Sequence, residues 1–321
     1  PGASPIFAAL DVVAPVFTVV LIGYGAVKFG WFPQSAAEGV ARVVFDFAIP
    51  ALLFRAMANA NVFSNPPWEL WLAFFPAALA IYGIGMVIAL SVFKRDFEGA
   101  AITGMGACYG NTVLLGIPIN LLVLGDAGAL PSFLIISIHS LILMSSATVL
   151  LESGRADGRG PLATAMEVLK GMGTNPVVLG LGAGLAWNAS GLSIPSMADQ
   201  VLTFMKGAVI PCSLFALGAT LARYGIKGRI AQSIVVSILK LIVMPAFVWV
   251  LAAHVLHLDP VWTIAVVLMA AQPAGINMFL FANRYGTAEA IASTTIFVTT
   301  LASMVVLPVL IYLLSSAGTS L

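Results

Sequence analysis

The 321-residue chain is 60% hydrophobic and only 8% charged, with a mean hydropathy of +1.05. Such values exclude an ordinary soluble domain and point to a protein whose solvent is lipid. The net charge of +1 by itself says nothing about nucleic acid, but no long basic run occurs and no nucleic-acid partner is expected; Cys108 and Cys212 both lie inside apolar stretches, so a structural disulfide is not expected and metal chemistry would need more ligands.

Ten apolar stretches follow one another, at about 6–28, 36–57, 68–93, 98–124, 129–151, 164–187, 198–222, 228–256, 260–283 and 288–314. Each has the length of a spanning helix, about 20 residues for roughly 30 Å of hydrocarbon. The first is long enough to span, so it is not read as a cleavable signal peptide. Connections are short, and the most polar runs from Glu152 to Pro161. Lys28, Arg42, Lys94, Arg95, Arg155, Arg159, Lys170, Arg223, Lys227, Arg229 and Arg284 all flank alternate connections, and only Arg55 flanks the others. The positive-inside rule then places both termini outside and the Arg155/Arg159 loop in the cytoplasm.

Two stretches carry residues that a spanning helix avoids. The fourth contains Gly110-Asn111-Thr112-Val113-Leu114-Leu115-Gly116-Ile117-Pro118, and the ninth contains Gln272-Pro273-Ala274-Gly275-Ile276-Asn277. Proline lacks an N–H and obstructs the carbonyl four residues back, while glycine offers little resistance to unwinding. Gly116, Pro118 and Pro273 are therefore the expected break points. Non-helical backbone at that depth is tolerated only inside protein or beside a watery cavity.

The sequence also repeats. A shift of 161 residues puts Pro15 on Pro176, Gly23 on Gly184, Gly30 on Gly191, Pro50 on Pro211 and Phe54 on Phe215. It also lays Asn111 on Gln272. Five segments per repeat is an odd number, so the halves enter the membrane in opposite directions. The expected organisation is an all-α polytopic protein of ten helices. Residues 1–151 form the first repeat, 152–163 a cytoplasmic loop and 164–321 the second. Paired broken segments in such inverted repeats mark a carrier's substrate site near the midplane.

Phe-Ala-Ile-Pro-Ala-Leu-Leu-Phe (47–54), Gly-Asn-Thr-Val-Leu-Leu-Gly-Ile-Pro-Ile (110–119) and Gln-Pro-Ala-Gly-Ile-Asn-Met-Phe-Leu-Phe-Ala-Asn-Arg-Tyr-Gly (272–286) resemble the auxin efflux carrier family over nearly the whole chain. Its members include plant auxin exporters and bacterial malonate and malate permeases. The resemblance implies the crossover fold of bile-acid symporters and the sodium/proton antiporter NhaA. Segments 1, 2, 6 and 7 would form a scaffold, and 3–5 and 8–10 an elevator-like transport domain. A homodimer through segments 2 and 7, a bacterial cytoplasmic membrane and a carboxylate contact at Asn111 are further implications. Gly110, where plant exporters carry proline, Asn277 and the short central loop make the chain look like a bacterial carboxylate carrier.

The neutral polar residues Asn111, Thr112, Gln272 and Asn277, with Gly110 and Gly275 beside them, are the candidate substrate contacts. Half-helix N-termini would assist them, since these favour anions. The alternative is that these side chains only serve backbone groups freed by the breaks. Lys240, about ten residues and hence roughly 15 Å into segment 8, is read as balancing substrate charge, as a fixed charge in place of a coupling cation, or as a structural donor. His139, which the shift pairs with Thr300, is a proton-coupling candidate or a hydrogen-bonded packing residue. Asp46 and Lys206 enter from opposite faces, either as a buried pair or each at its own interface. Trp31, Trp68 and Trp71 suit interfacial anchoring, and Gly106 with Gly110 suits close helix contact.

Neither a metal nor a cofactor is expected, and the partners are a small organic anion, the bilayer and a coupling proton or sodium ion. An intramembrane enzyme finds no nucleophile–base pair or His/Asp/Glu cluster in the segments, and a channel finds no filter or charged ring. A non-transporting receptor on the same fold stays open. So does the choice between a dicarboxylate and an auxin-like aromatic monocarboxylate.

Overall fold

The computed structural model describes residues 5–59, 67–154 and 173–316. Arg155, Arg159, Lys170 and the start of the sixth apolar stretch lie outside the described residues.

The named elements of the described residues are all helices. In order it forms α1 (Pro5–Lys28), α2 (Gln34–Val43), α3 (Ile49–Ala58), α4 (Trp68–Ser91), α5 (Phe97–Cys108), α6 (Ile117–Leu124) and α7 (Ala129–Ser153). There follow α8 (Pro176–Ala189), α9 (Ser196–Leu221), α10 (Ile230–Ile238), α11 (Met244–Trp249), α12 (Pro260–Ala270), α13 (Asn277–Tyr285) and α14 (Glu289–Ser316). Six helical runs are long and apolar enough to cross a bilayer: Ala9–Lys28, Trp68–Ser91, Thr112–Ser153, Ser196–Leu221, Ile230–Val255 and Glu289–Ser316. The other apolar stretches are shorter or divided.

Proline sets several of the divisions. Pro50, Pro118 and Pro245 each stand second in their helix, α3, α6 and α11, and each is preceded by a π turn, at Val44–Ala48, Thr112–Gly116 and Leu239–Val243. Proline cannot donate to the carbonyl four residues back and its ring crowds that carbonyl. The helix widens by one residue to make room: the N–H groups of Ile49, Ile117 and Met244 reach five residues back, to Val44, Thr112 and Leu239. Pro118 was expected to break the fourth stretch, but it is accommodated inside a continuing helix.

Close packing relies on glycine at two related places. A β-carbon on Gly23 of α1 would stand 2.2 Å from the Phe215 carbonyl oxygen of α9. One on Gly184 of α8 would stand 2.6 Å from the Phe54 carbonyl oxygen of α3. The second contact is the first with its partners exchanged by the 161-residue shift. Gly106 presses on Met278 of α13, so its small size serves contact within the chain. Trp31 and Trp68 are exposed, whereas Trp71 is half-buried and its indole N–H donates to Leu134 O at 2.8 Å.

Lys206 and Asp46 do not pair. Lys206 reaches Asp126, in the short turn Gly125–Gly128 between α6 and α7, and Asp46 is exposed. On the same side Arg55 of α3 holds Asp199 of α9 through two bonds of 2.6 and 3.0 Å.

Candidate functional site

Helix α5 stops at Cys108, and the chain runs extended through Tyr109 before turning at Asn111 into the Thr112–Gly116 turn. Helix α12 stops at Ala270, and helix resumes only at Asn277. The two gaps pair with each other. Asn111 N–H donates to Pro273 O at 2.8 Å, and Gly275 N–H donates to Tyr109 O at 2.9 Å, an antiparallel bridge centred on Gly110 and Ala274. Ala274 N–H donates to Thr299 Oγ1 of α14 at 3.1 Å. Backbone groups freed at depth thus find protein partners, as a dry environment demands.

Small residues allow this approach. A β-carbon on Gly275 would meet the Tyr109 ring at 2.8 Å. One on Gly116 would meet Met269 Sδ at 2.9 Å and Gln272 Cγ at 3.2 Å. Gly116 therefore serves the crossing of the second segment rather than an unwinding of its own. The gaps begin nine residues earlier than Pro118, at Tyr109, and at Ala271 before Pro273.

A cavity of about 500 Å³ opens at the crossing. Gly110, Asn111, Thr112, Gly275 and Asn277 all line it, so five of the six candidate substrate contacts come together. It extends toward Thr148, Asn175 and the exposed Arg284. Both helical N-terminal ends at the crossing, that of Thr112–Leu124 and that of α13, face this space. Asn111 caps the first, its Oδ1 accepting from Leu114 N–H at 3.3 Å. Asn277 begins the second, and its Nδ2 donates to Tyr109 Oη at 2.6 Å, which also bonds Ser140 Oγ at 2.9 Å. Aligned peptide dipoles put partial positive charge at both ends, which favours an anion.

Gln272 does not join this group. Its side chain is fully buried, Nε2 donates to Leu268 O at 2.7 Å, and it does not line the cavity. The geometry gives it the last turn of α12, whose carbonyls would otherwise lack partners. Lys240 is likewise fully buried and off the cavity, its ammonium donating to Ala270 O. His139 is buried behind Tyr109, with ring centroids 4.6 Å apart and Nε2 without a hydrogen-bond partner. Its shift partner Thr300 donates to Ile296 O at 2.7 Å.

Among the lining residues that the sequence does not single out are Tyr109 and Arg284. Tyr109 ties both gaps together and is signalled only by its place before Gly110-Asn111. Arg284, counted above as a topological charge, is an exposed residue lining the cavity.

A family model described as "Membrane transport protein" matches residues 8–311. A Rhizobium meliloti protein named "Putative malonate transporter" is 25% identical over 95% of this chain and 96% of its own length. An uncharacterized transporter of Methanothermobacter thermautotrophicus is 26% identical over 93% and 96%. The auxin efflux carrier component 8 of Arabidopsis thaliana is 22% identical over 90% and 92%. With its broken segments crossing at a cavity and its length matched almost end to end, the chain belongs to the auxin efflux carrier family of membrane transport proteins.

Proposed function

We propose that the protein is a secondary transporter that carries small organic anions, carboxylates such as malonate or malate, across a cytoplasmic membrane. One observation carries this reading: two helix N-terminal ends open into one cavity together with Asn111, Thr112 and Asn277. A carboxylate there meets aligned N–H dipoles and amide and hydroxyl donors, and bonds to a charged group contribute about 1.5–3 kcal/mol each. The cavity volume also admits an aromatic monocarboxylate. Arg284 on the same wall favours a second carboxylate over an indole ring.

Ten spans in an inverted five-plus-five repeat suit this role. Its support is the pair of exchanged contacts, Gly23 on Phe215 and Gly184 on Phe54. With both termini outside, the cavity opens toward the cytoplasmic side, where Arg284 lies. Movement of α4–α7 and α10–α14 against α1–α3, α8 and α9 would carry the crossing to the other side.

Uptake into proteoliposomes tests the reading. Labelled malonate should accumulate and unlabelled malonate or malate should compete. Malonate-independent binding of indole-3-acetate with its accumulation would reverse the substrate assignment, and binding without accumulation of either acid would favour a receptor. Single cysteines at Ser153 and Ser315 should label from opposite sides of the membrane, and labelling of both from one side refutes the topology.

A further inference from the structure

Among the described residues no Asp or Glu is buried, and Lys240 is the one Lys or Arg that is. Bringing an ammonium to such depth costs several kcal/mol unless something offsets its charge. The π turn Leu239–Val243 that holds Lys240 delivers its Nζ to a particular place. The ammonium donates to the carbonyl of Ala270, the last residue of α12. It lies 3.4 Å from Met244 Sδ and 3.3 Å from where a β-carbon on Gly110 would stand, two residues past the end of α5. The carbonyl end of α12 thus meets the ammonium directly, and the chain leaving the C-terminal end of α5 passes beside it at Gly110, tied to the other gap by the bridge at Gly110 and Ala274. Each such end carries roughly half a negative elementary charge, so two together match one ammonium. Carbonyls at half-helix C-terminal ends are also the ligands with which a membrane protein holds a bare monovalent cation.

We propose that Lys240 is a tethered cation: its ammonium fills a monovalent-cation site formed by the carbonyl ends of α5 and α12. The crossing is charge-balanced without a bound ion, and removing the ammonium opens that site to a small free cation. A fixed positive charge then travels with the crossing, and sodium has no place to act at this position. The cavity face of the crossing keeps the helix N-terminal ends for substrate, while on the opposite face the chain's own ammonium serves the carbonyl end of α12. The inference rests on the crossing itself, not on which anion is carried.

Melting of the detergent-purified full chain tests it without any substrate. Wild type, Lys240→Ala and Lys240→Gln are heated in choline chloride, and then with choline replaced stepwise by sodium or methylammonium at constant ionic strength. Wild type should be indifferent to the replacement. Both variants should melt lower in choline and regain several degrees with saturable dependence on sodium or methylammonium. Lys240→Gln keeps a donor for Ala270 O and so isolates the charge. A Gln variant that melts like wild type in choline, or variants whose melting responds to neither cation more than wild type does, overturns the proposal. If detergent extraction destroys a variant, the same series is read on heated whole membranes, with the same outcomes.

Discussion

The crossing has two faces built from the same four helix ends, and they handle polarity in opposite ways. On the cavity face, Asn111, Thr112 and Asn277 stand at N-terminal ends beside open space. On the opposite face, Lys240 and Gln272 stand at carbonyl ends with no space beside them, and each is bonded to a carbonyl of α12. Side chains that look equivalent in the sequence therefore do different work. Asn111 and Gln272 are related by the 161-residue shift, yet Asn111 lines the cavity at an N-terminal helix end and Gln272 is buried at a carbonyl end. Helix resumes at Thr112 after the first gap and at Asn277 after the second, 165 residues on (277 − 112), so the 161-residue shift no longer pairs equivalent positions there.

The comparison breaks if the faces cannot be separated by mutation. The largest effect is expected where both depend on one close approach. Gly116→Val would drive a branched side chain into Met269 and Gln272, and overpacking costs about 1–3 kcal/mol or more. Melting should fall strongly and binding should be lost with it. Gly182→Val, on α8 with nothing within 4 Å of its β-position, is the control and should barely move.

Next comes the crossed pair that sharpens the distinction. Asn111→Ala removes a donor from a desolvated carboxylate, so malonate affinity should fall roughly tenfold to a hundredfold at 1.4 kcal/mol per decade. Its melting temperature should change little, because the capping bond it loses is long at 3.3 Å. Gln272→Ala should do the reverse. An orphaned Leu268 carbonyl costs about 1–3 kcal/mol of stability, and affinity in the surviving protein should stay within a few-fold of wild type. Isothermal titration and detergent melting on both variants decide it: equal losses of affinity would erase the difference between the faces.

Much of this was legible beforehand. Apolar length located the helices, because hydrocarbon thickness fixes how many residues a span needs. The polar and glycine-rich centres of the fourth and ninth stretches located the crossing, because lipid penalises such residues without reason. What stayed hidden was orientation. Pro118 read as a break, since the sequence does not disclose that a π turn absorbs the missing bond five residues back. Gln272 read as a substrate contact, since apolar patterning identifies depth and says nothing of which face a side chain takes. Tyr109 carried no polarity signal at all, being an aromatic residue in an apolar run. It nonetheless joins Asn277 to Ser140 across the site.

Tyr109→Phe therefore gives the next, smaller effect. Loss of the hydroxyl frees the Asn277 amide from its 2.6 Å bond while leaving the ring against Gly275 and His139. A neutral bond of this kind is worth about 0.5–1.5 kcal/mol net, so malonate affinity should weaken by less than about tenfold. Asn277→Ala added to Tyr109→Phe should then cost less than it does alone, because the two act through one contact. Full additivity in the double-mutant cycle would remove Tyr109 from the site.

The smallest effect concerns two ion pairs on the side away from the cavity mouth. Arg55 and Asp199 join α3 to α9 through two bonds, with side chains 31% and 39% exposed. Lys206 joins α9 to Asp126, whose side chain is 78% exposed. Exposed pairs contribute about 0.2–1 kcal/mol and are screened by salt, so Asp126→Asn should scarcely alter melting. Its position matters more than its energy. In the proposed division of the molecule, Arg55 and Asp199 both belong to the static part, whereas Lys206 and Asp126 sit on opposite sides of the moving boundary. Loss of the second pair can shift the balance between two arrangements only by its own energy. That sets a ceiling of about fivefold for about 1 kcal/mol. A cysteine at Leu121, partly buried beside that pair, reports the shift by its rate of reaction with an impermeant thiol reagent. Asp126→Asn should raise that rate by no more than about fivefold in low salt, and by nothing in 1 M salt, where charges are screened within about 3 Å. Asp199→Asn should leave it unchanged. A larger response to Asp199→Asn than to Asp126→Asn would place the moving boundary elsewhere.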